Sequence, residues 1–272
     1  MKNIRKAAVA GMFYPGSANE LKSIVNSLLD KTKTKVNHND IVGIVSPHAG
    51  YTYSGISAAH AYNVLIEKQF STAIIVSPSH REYFQGLCMY EGDAYETPLG
   101  IVEIDKELRE KLYGHSEYLQ IGRSGHTSEH AVEVQLPFLQ VIKKDFKILP
   151  IVIGDQRKLF VDELAKCLSQ SIKENVIIIA SSDLSHFYGK IHANKLDSII
   201  ERRIEDMEFD ELQNDLDTKQ CEACGGGGIV ALLKAAKQNN YNKVKVLSRT
   251  DSGDFSGDDS SVVGYLSAVV YN

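Results

Sequence analysis

Short runs of apolar, often β-branched residues recur along the whole chain and predict β-strands. Between them lie longer segments in which apolar positions repeat with helical spacing. The predicted strands are 41–45, 72–76, 101–104, 148–153, 176–179, 244–247 and 262–270. The predicted helices are 18–29, 57–67, 129–142, 159–172, 193–207 and 229–237.

The alternation of strands and helices predicts a layered α/β fold. Residues 176–180 form a nearly continuous apolar run, VIIIA, which is typical of a central strand covered on both faces. We therefore expect a three-layer α/β/α architecture around a central, largely parallel or mixed sheet. No repeat, low-complexity linker or charge block interrupts the pattern, so we expect a single domain over residues 1–272.

Composition narrows the classes of partner. Apolar residues make up 43% and charged residues 24% of the chain, as in ordinary globular proteins. The net charge of -5 comes without a long basic run, which argues against a nucleic-acid partner or an anionic membrane surface. The first sixteen residues lack a signal-peptide pattern, and no segment is apolar enough to span a bilayer. We therefore expect a cytoplasmic protein with a small-molecule or peptide ligand.

Three apolar strand patterns each end shortly before a histidine, namely His48, His80 and His186. Ligands of open α/β sheets bind at the carboxyl ends of the strands. If the three strands are parallel neighbours, their histidines lie together at one edge of the sheet. Pro47 and Pro78 are expected to end two of the strands. Imidazoles bind iron, zinc, copper or nickel. A single histidine after a strand is usually an ordinary loop residue, but the repetition favours a shared metal site with His48 and His80 as ligands.

Cys224 is the candidate third ligand. It precedes Gly225–Gly228 and a helical pattern, where backbone N–H groups and the helix dipole would lower the pKa of its thiol. Cys221 completes a Cys-x-x-Cys motif, which leaves a redox pair as an alternative. The late position of the motif and the glycines after it make that alternative less favoured.

Four more polar residues are candidates for the same pocket. His186 and His130 are the candidates for proton transfer, and Asp183 and Glu129 for a supporting layer or for ligand binding. Glu129 is predicted to open the helix over 129–142, where it would also complement the dipole. Asp183 could equally cap the helix that follows it.

Seven short motifs along the chain resemble signatures of the Memo family. They are AGMFYPG at 10–16, PHAGY at 47–51, PSH at 78–80, TPLG at 97–100, EH at 129–130, SDLSHF at 182–187 and DSSV at 259–262. The resemblance covers essentially the whole chain. It implies the fold of class III extradiol ring-cleaving dioxygenases, which hold non-haem iron with two histidines and a glutamate.

The same resemblance implies that His48, His80 and Cys224 form the ligand set, with a cysteine in place of the carboxylate. One metal ion is expected, iron(II) first, with zinc or copper as alternatives because a thiolate is a softer ligand. Asp183 and His186 match pocket residues of the family. Dioxygenase activity itself does not follow from the fold.

Three functional hypotheses remain open. The first is a metal-dependent oxidoreductase using non-haem iron or copper, in which His186 or His130 moves protons. The second is a non-enzymatic adaptor whose pocket binds a peptide or an anionic ligand. The third follows from the AmmeMemoRadiSam association of microbial relatives: a partner of AMMECR1-like and radical-SAM proteins in a modification pathway.

Overall fold

The structure is a computed structural model that describes residues 3–33, 40–172 and 175–272. Strands and helices alternate along these residues. The strands are β1 (Ile4–Arg5), β2 (Ile41–Ser46), β3 (Thr72–Pro78), β4 (Leu87–Tyr90), β5 (Ala94–Thr97), β6 (Gly100–Glu103), β7 (Leu119–Gly122), β8 (Lys147–Ile153), β9 (Val176–Ser181), β10 (His186–Tyr188), β11 (Lys243–Asp251) and β12 (Val262–Tyr271). The helices are α1 (Ala18–Lys31), α2 (Tyr51–Asn63), α3 (Lys106–Tyr113), α4 (Leu136–Ile142), α5 (Lys158–Ser171), α6 (Lys190–Glu205), α7 (Phe209–Asp217), α8 (Gly226–Gln238) and α9 (Gly253–Ser256).

A large mixed sheet forms the centre of the described chain. Its strand order is β10-β12-β2-β9-β3-β8-β4-β7, and β11 pairs with β12 outside that path. The central strands β2, β9, β3 and β8 are mutually parallel, whereas β12 runs antiparallel to β2 and β4 antiparallel to β8. The carboxyl ends of β2, β9 and β3 therefore meet at one edge of the sheet.

Helices cover both faces of this sheet. Along β3, Ile74 and Val76 enter one hydrophobic core, and Ala73 and Ile75 enter the other. The first core packs against α5, α6, α7 and α8, and the second against α1, α2 and α4. Alternate side chains of a strand point to opposite faces, so the apolar runs are explained by burial on both sides. The expected three-layer α/β/α fold is confirmed.

Two predicted helices have wrong boundaries. The pattern over 129–142 is helical only from a 3-10 turn at Glu133–Gln135 through α4, so Glu129 does not open a helix. Its carboxylate instead accepts hydrogen bonds from backbone N–H groups and from His80, which keeps the segment irregular. Helix α2 begins at Tyr51 rather than at 57. The helical pattern of its first residues was missed because this helix is buried on several sides and therefore shows little alternation of apolar and polar positions.

A second, three-stranded sheet has the order β1-β5-β6. The sequence predicted only its last strand, since β1 has two residues and β5, AYET, lacks a run of β-branched apolar residues. Strand β1 brings the N-terminal segment beside the irregular residues 126–132. Among the described residues, no helix has the length and apolarity needed to cross a bilayer.

Candidate metal centre

The candidate ligands lie on loops at the carboxyl edge of the central sheet. His48 and His80 each follow the last residue of their strand, β2 and β3, by two positions, and Asp183 follows β9 in the same way. Cys224 reaches the same place from the loop before α8. This approach needs glycine at position 225, because a Cβ there would lie 2.2 Å from the carbonyl oxygen of Ser181.

His48, His80 and Cys224 each offer one ligand atom, and the three atoms lie within 4.8 Å of one another. The Cys224 Sγ is 3.2 Å from the His48 Nε2. Metal–nitrogen and metal–sulfur bonds of about 2.0–2.3 Å place two ligand atoms of a tetrahedral site about 3.5 Å apart. The donor set therefore fits a single transition-metal ion in both spacing and chemistry.

The orientation of His48 is fixed by the neighbouring strand β9. Its Nδ1 lies 2.9 Å from the Ser181 Oγ. The Ser181 hydroxyl donates to the Ala131 carbonyl and accepts from the Gln135 Nε2, both at 2.8 Å. Because that hydroxyl proton is already used, the His48 Nδ1 must be the donor, and Nε2 keeps the lone pair that a metal requires. The backbone N–H of His48 also donates to the Asp183 Oδ1 at 2.7 Å.

The orientation of His80 depends on Glu129. The Glu129 carboxylate accepts from the His80 backbone N–H at 2.6 Å, and its Oε1 lies 2.9 Å from the His80 Nδ1. It also accepts from the N–H groups of His130 and Ala131. Burial would raise the pKa of Glu129, but the hydrogen bonds and charge of His80 outweigh it and lower that pKa to about 2. The carboxylate therefore holds a proton on Nδ1, and Nε2 is the nitrogen left for a metal.

In the protein without a metal, burial keeps the imidazoles of His48 and His130 neutral and the thiol of Cys224 protonated. It lowers the pKa of His48 to about 3 and that of His130 to about 4. The low thiol pKa expected from the helix start is wrong: burial and the nearby Asp183 charge raise the pKa of Cys224. Burial also raises the pKa of Asp183.

The helix start does not assist the thiol because its N–H groups have other partners. The Gly225 N–H donates to the Ser182 Oγ at 2.9 Å, and the Gly227 N–H donates to the Gln156 Oε1 at 2.8 Å. The Cys224 sulfur accepts from the Asp183 N–H at 3.2 Å. Asp183 thus bonds to both sides of the site and does not cap α6, which begins at Lys190.

The two candidate proton carriers occupy different positions. The His130 ring lies 4.7 Å from the His80 ring and 5.4 Å from the His48 ring, between centroids. Its Nδ1 is buried 3.2 Å from the Glu129 Oε1 but forms no hydrogen bond among the described residues. His186 lies on β10 and lines a cavity of about 470 Å³ that also borders Cys224. His130 therefore adjoins the ligand set, whereas His186 faces the space where a ligand could enter.

Cys221 borders the same cavity but is only 1% exposed. Burial raises the pKa of its thiol to about 12. All four cysteines are free thiols in the structure. A redox pair would need a reactive thiolate, which these surroundings do not favour.

Sequence analysis missed three residues that support the ligands, namely Ser181, Gln135 and Arg5. Gln135 lies within the predicted helix over 129–142, Ser181 lies just beyond the predicted strand over 176–179, and no prediction concerns Arg5. Ser181 repeats the serine that ends β2, and this repeat was the one signal that could have pointed to it.

Comparison with known proteins identifies relatives along nearly the whole chain. A family model described as "Memo-like protein" matches residues 5–269. A "MEMO1 family protein" of Nitrosopumilus maritimus is 36% identical over 96% of this chain and 98% of its own length. The "MEMO1 family protein TV1383" of Thermoplasma volcanium is 36% identical over 98% of both chains. The crystal structure of the uncharacterized protein JW3007 from Escherichia coli K12 matches with a TM-score of 0.56 and 13% identity, covering 85% of this chain and 99% of that one. This last likeness concerns the fold alone.

Proposed function

The chain belongs to the Memo-like protein family, and on that premise we propose that it is a metal-dependent oxidoreductase holding one ion between His48, His80 and Cys224. The observation that carries the proposal is that hydrogen bonds orient both imidazoles and leave one ring nitrogen of each for a metal. Each has its Nδ1 engaged, by Ser181 or by Glu129, so that Nε2 is left to bind. Support of this kind is typical of histidines that bind metals.

Iron(II) is the ion that we propose, with copper and zinc as alternatives. Two imidazoles and one thiolate suit all three, and three protein ligands leave coordination positions for a substrate. The bound ion would supply Lewis acidity and, for iron or copper, one-electron chemistry.

The other residues of the site would bind and move protons. The cavity of about 470 Å³ beside Cys224 has the size of a small-molecule site. A ligand in it would meet His186 at one wall, and the His130 ring lies beside the rings of both candidate histidine ligands. We assign proton transfer to these two imidazoles. Asp183 holds the His48 backbone and the Cys224 sulfur in place.

Metal content tests directly the part of the proposal that concerns the ion and its three ligands. Protein purified anaerobically without a tag is analysed by mass spectrometry beside Cys224→Ala and a matched control, Cys167→Ala, which removes a buried thiol from α5. We expect near-stoichiometric metal in the native chain and the control, and its loss in Cys224→Ala.

A native chain that binds no metal after reconstitution with iron(II), copper and zinc would contradict the proposal. That result would favour an adaptor that binds a peptide or anionic ligand in the pocket. Co-purification with AMMECR1-like or radical-SAM proteins would test the third hypothesis separately.

A further inference from the structure

Arg5 is a buried cation far from the candidate ligands in sequence, yet it bonds to the segment that supports one of them. It is 5% exposed and lies on β1. Its Nε donates to the His126 carbonyl at 2.8 Å, its Nη2 to the Glu129 carbonyl, and its Nη1 to the Glu133 carboxylate. The guanidinium also stacks 4.7 Å from the centre of the Tyr95 ring.

These contacts span residues 126–133, which form no helix or strand before the 3-10 turn at Glu133–Gln135. An irregular segment has no ladder of backbone hydrogen bonds to fix it, so its conformation depends on side-chain contacts. Only arginine offers five N–H donors in a planar fork that can bond to several acceptors at once. Arg5 therefore fixes the backbone from which the Glu129 side chain extends.

Glu133, at the end of the segment, is held by more than Arg5. It also accepts from the Ala8 N–H at 2.7 Å, the Val9 N–H at 3.0 Å and the Tyr14 hydroxyl at 2.5 Å. The bond from Arg5 to the Glu129 carbonyl has no such substitute among the described residues. Removing the guanidinium fork should thus release Glu129 more than Glu133.

We propose that Arg5 is a positioning residue for the metal ligand His80, acting through Glu129. The Glu129 carboxylate bonds to both the backbone N–H and the Nδ1 of His80. A shift of the Glu129 backbone moves that carboxylate, and with it the imidazole orientation and the proton on Nδ1. The inference rests on the proposed function insofar as His80 is a ligand.

The test compares two buried arginines. Arg109 is 8% exposed, and its Nη1 donates to the carbonyls of Tyr90, Glu91 and Gly92, none of which is a candidate site residue. Arg5→Lys and Arg109→Lys each keep the charge and lose the fork. Both should lower the melting temperature, but only Arg5→Lys should weaken cobalt(II) binding, by roughly 10- to 100-fold. Only Arg5→Lys should change the visible absorption spectrum of the cobalt-loaded protein.

A second readout needs no metal. The ¹⁵N chemical shifts of the His80 ring in metal-free protein report which nitrogen carries the proton. We expect the Nδ1–H form in the native chain and in Arg109→Lys, and a mixture in Arg5→Lys. If Arg5→Lys does not fold, the double variant Arg5→Gln/Glu133→Gln replaces it, because it removes the buried cation together with the buried carboxylate that it neutralises.

Unchanged cobalt affinity and spectrum in a destabilised Arg5→Lys would overturn the inference and leave Arg5 a purely structural residue. If the native chain binds no cobalt, the proposed function fails, and the His80 ring shifts then decide the inference alone. The same Nδ1–H form in Arg5→Lys as in the native chain would overturn it.

Discussion

The two candidate histidine ligands are held in contrasting ways. His48 is 1% exposed, and its ring and backbone bond to Ser181 and Asp183, at and just after the end of the neighbouring strand β9. The side chain of His80 is 28% exposed, and both its ring and its backbone bond to the single carboxylate of Glu129. One ligand is thus fixed by the sheet, and the other by a loop.

The difference separates the stability of the fold from the geometry of the site. The hydrogen bonds that orient His48 also tie the end of β2 to the end of β9. A change there should therefore affect both the stability of the fold and the geometry of the site. The hydrogen bonds that orient His80 join two loops. A change there should therefore weaken metal binding more than it destabilises the fold.

The largest expected effect is the loss of a ligand. His48→Ala and His80→Ala should each weaken metal binding at least about 100-fold, since two protein ligands would remain. Only His48→Ala should also destabilise the metal-free protein, by about 2 kcal/mol, because it leaves a buried cavity and unpaired groups. His80→Ala should cost about 0.5 kcal/mol.

Metal analysis and urea unfolding of the metal-free proteins measure the two quantities. An equal loss of unfolding free energy in both variants would show that the contrast between sheet and loop is wrong.

A smaller effect is expected from the residues that orient the rings. Glu129→Gln removes a charged acceptor from His80 and should weaken metal binding by about 10- to 100-fold. Ser181→Ala removes one neutral partner from His48, which stays held by Asp183, and should weaken binding by about three- to tenfold. Titration with cobalt(II) gives both affinities, and the reverse ranking would contradict the comparison.

The smallest effect is expected at Cys221. Cys221→Ala should leave the metal content unchanged, because this thiol is not in the ligand set, and should cost about 1 kcal/mol of stability through lost packing. Metal analysis beside thermal unfolding checks both values. Complete loss of metal in this variant would move the cysteine ligand from Cys224 to Cys221.

The sequence predicted the meeting of the two histidine ligands and the supporting role of Glu129, but it did not predict that Ser181 orients His48. The apolar runs before His48 and His80 reveal parallel strands, and parallel strands end at one edge, so the meeting of the histidines follows from a local pattern. The role of Ser181 depends on register, since it pairs with Ser46 across β2 and β9. Register between strands so far apart in sequence is not contained in a local pattern.

The wrong expectations share a cause. The apolar spacing over 129–142 favours a helix, but the Glu129 carbonyl accepts from Arg5 and the Glu129 carboxylate accepts from His80, and these contacts hold the chain out of one. The helix start near Cys224 suggests a low thiol pKa, but burial reverses the shift. In both cases tertiary contacts outweigh a local preference.

The position of β12 determines when the site can form during folding. The Cys224 sulfur and the His48 ring are 176 residues apart in sequence, and β2, which carries His48 at its end, has β12 as one of its two neighbours. Contacts over such separations make the contact order high, and high contact order slows folding. We therefore expect His48 and Cys224 to come together late in folding. On the proposed function, we expect the ion to bind after these long-range contacts have formed.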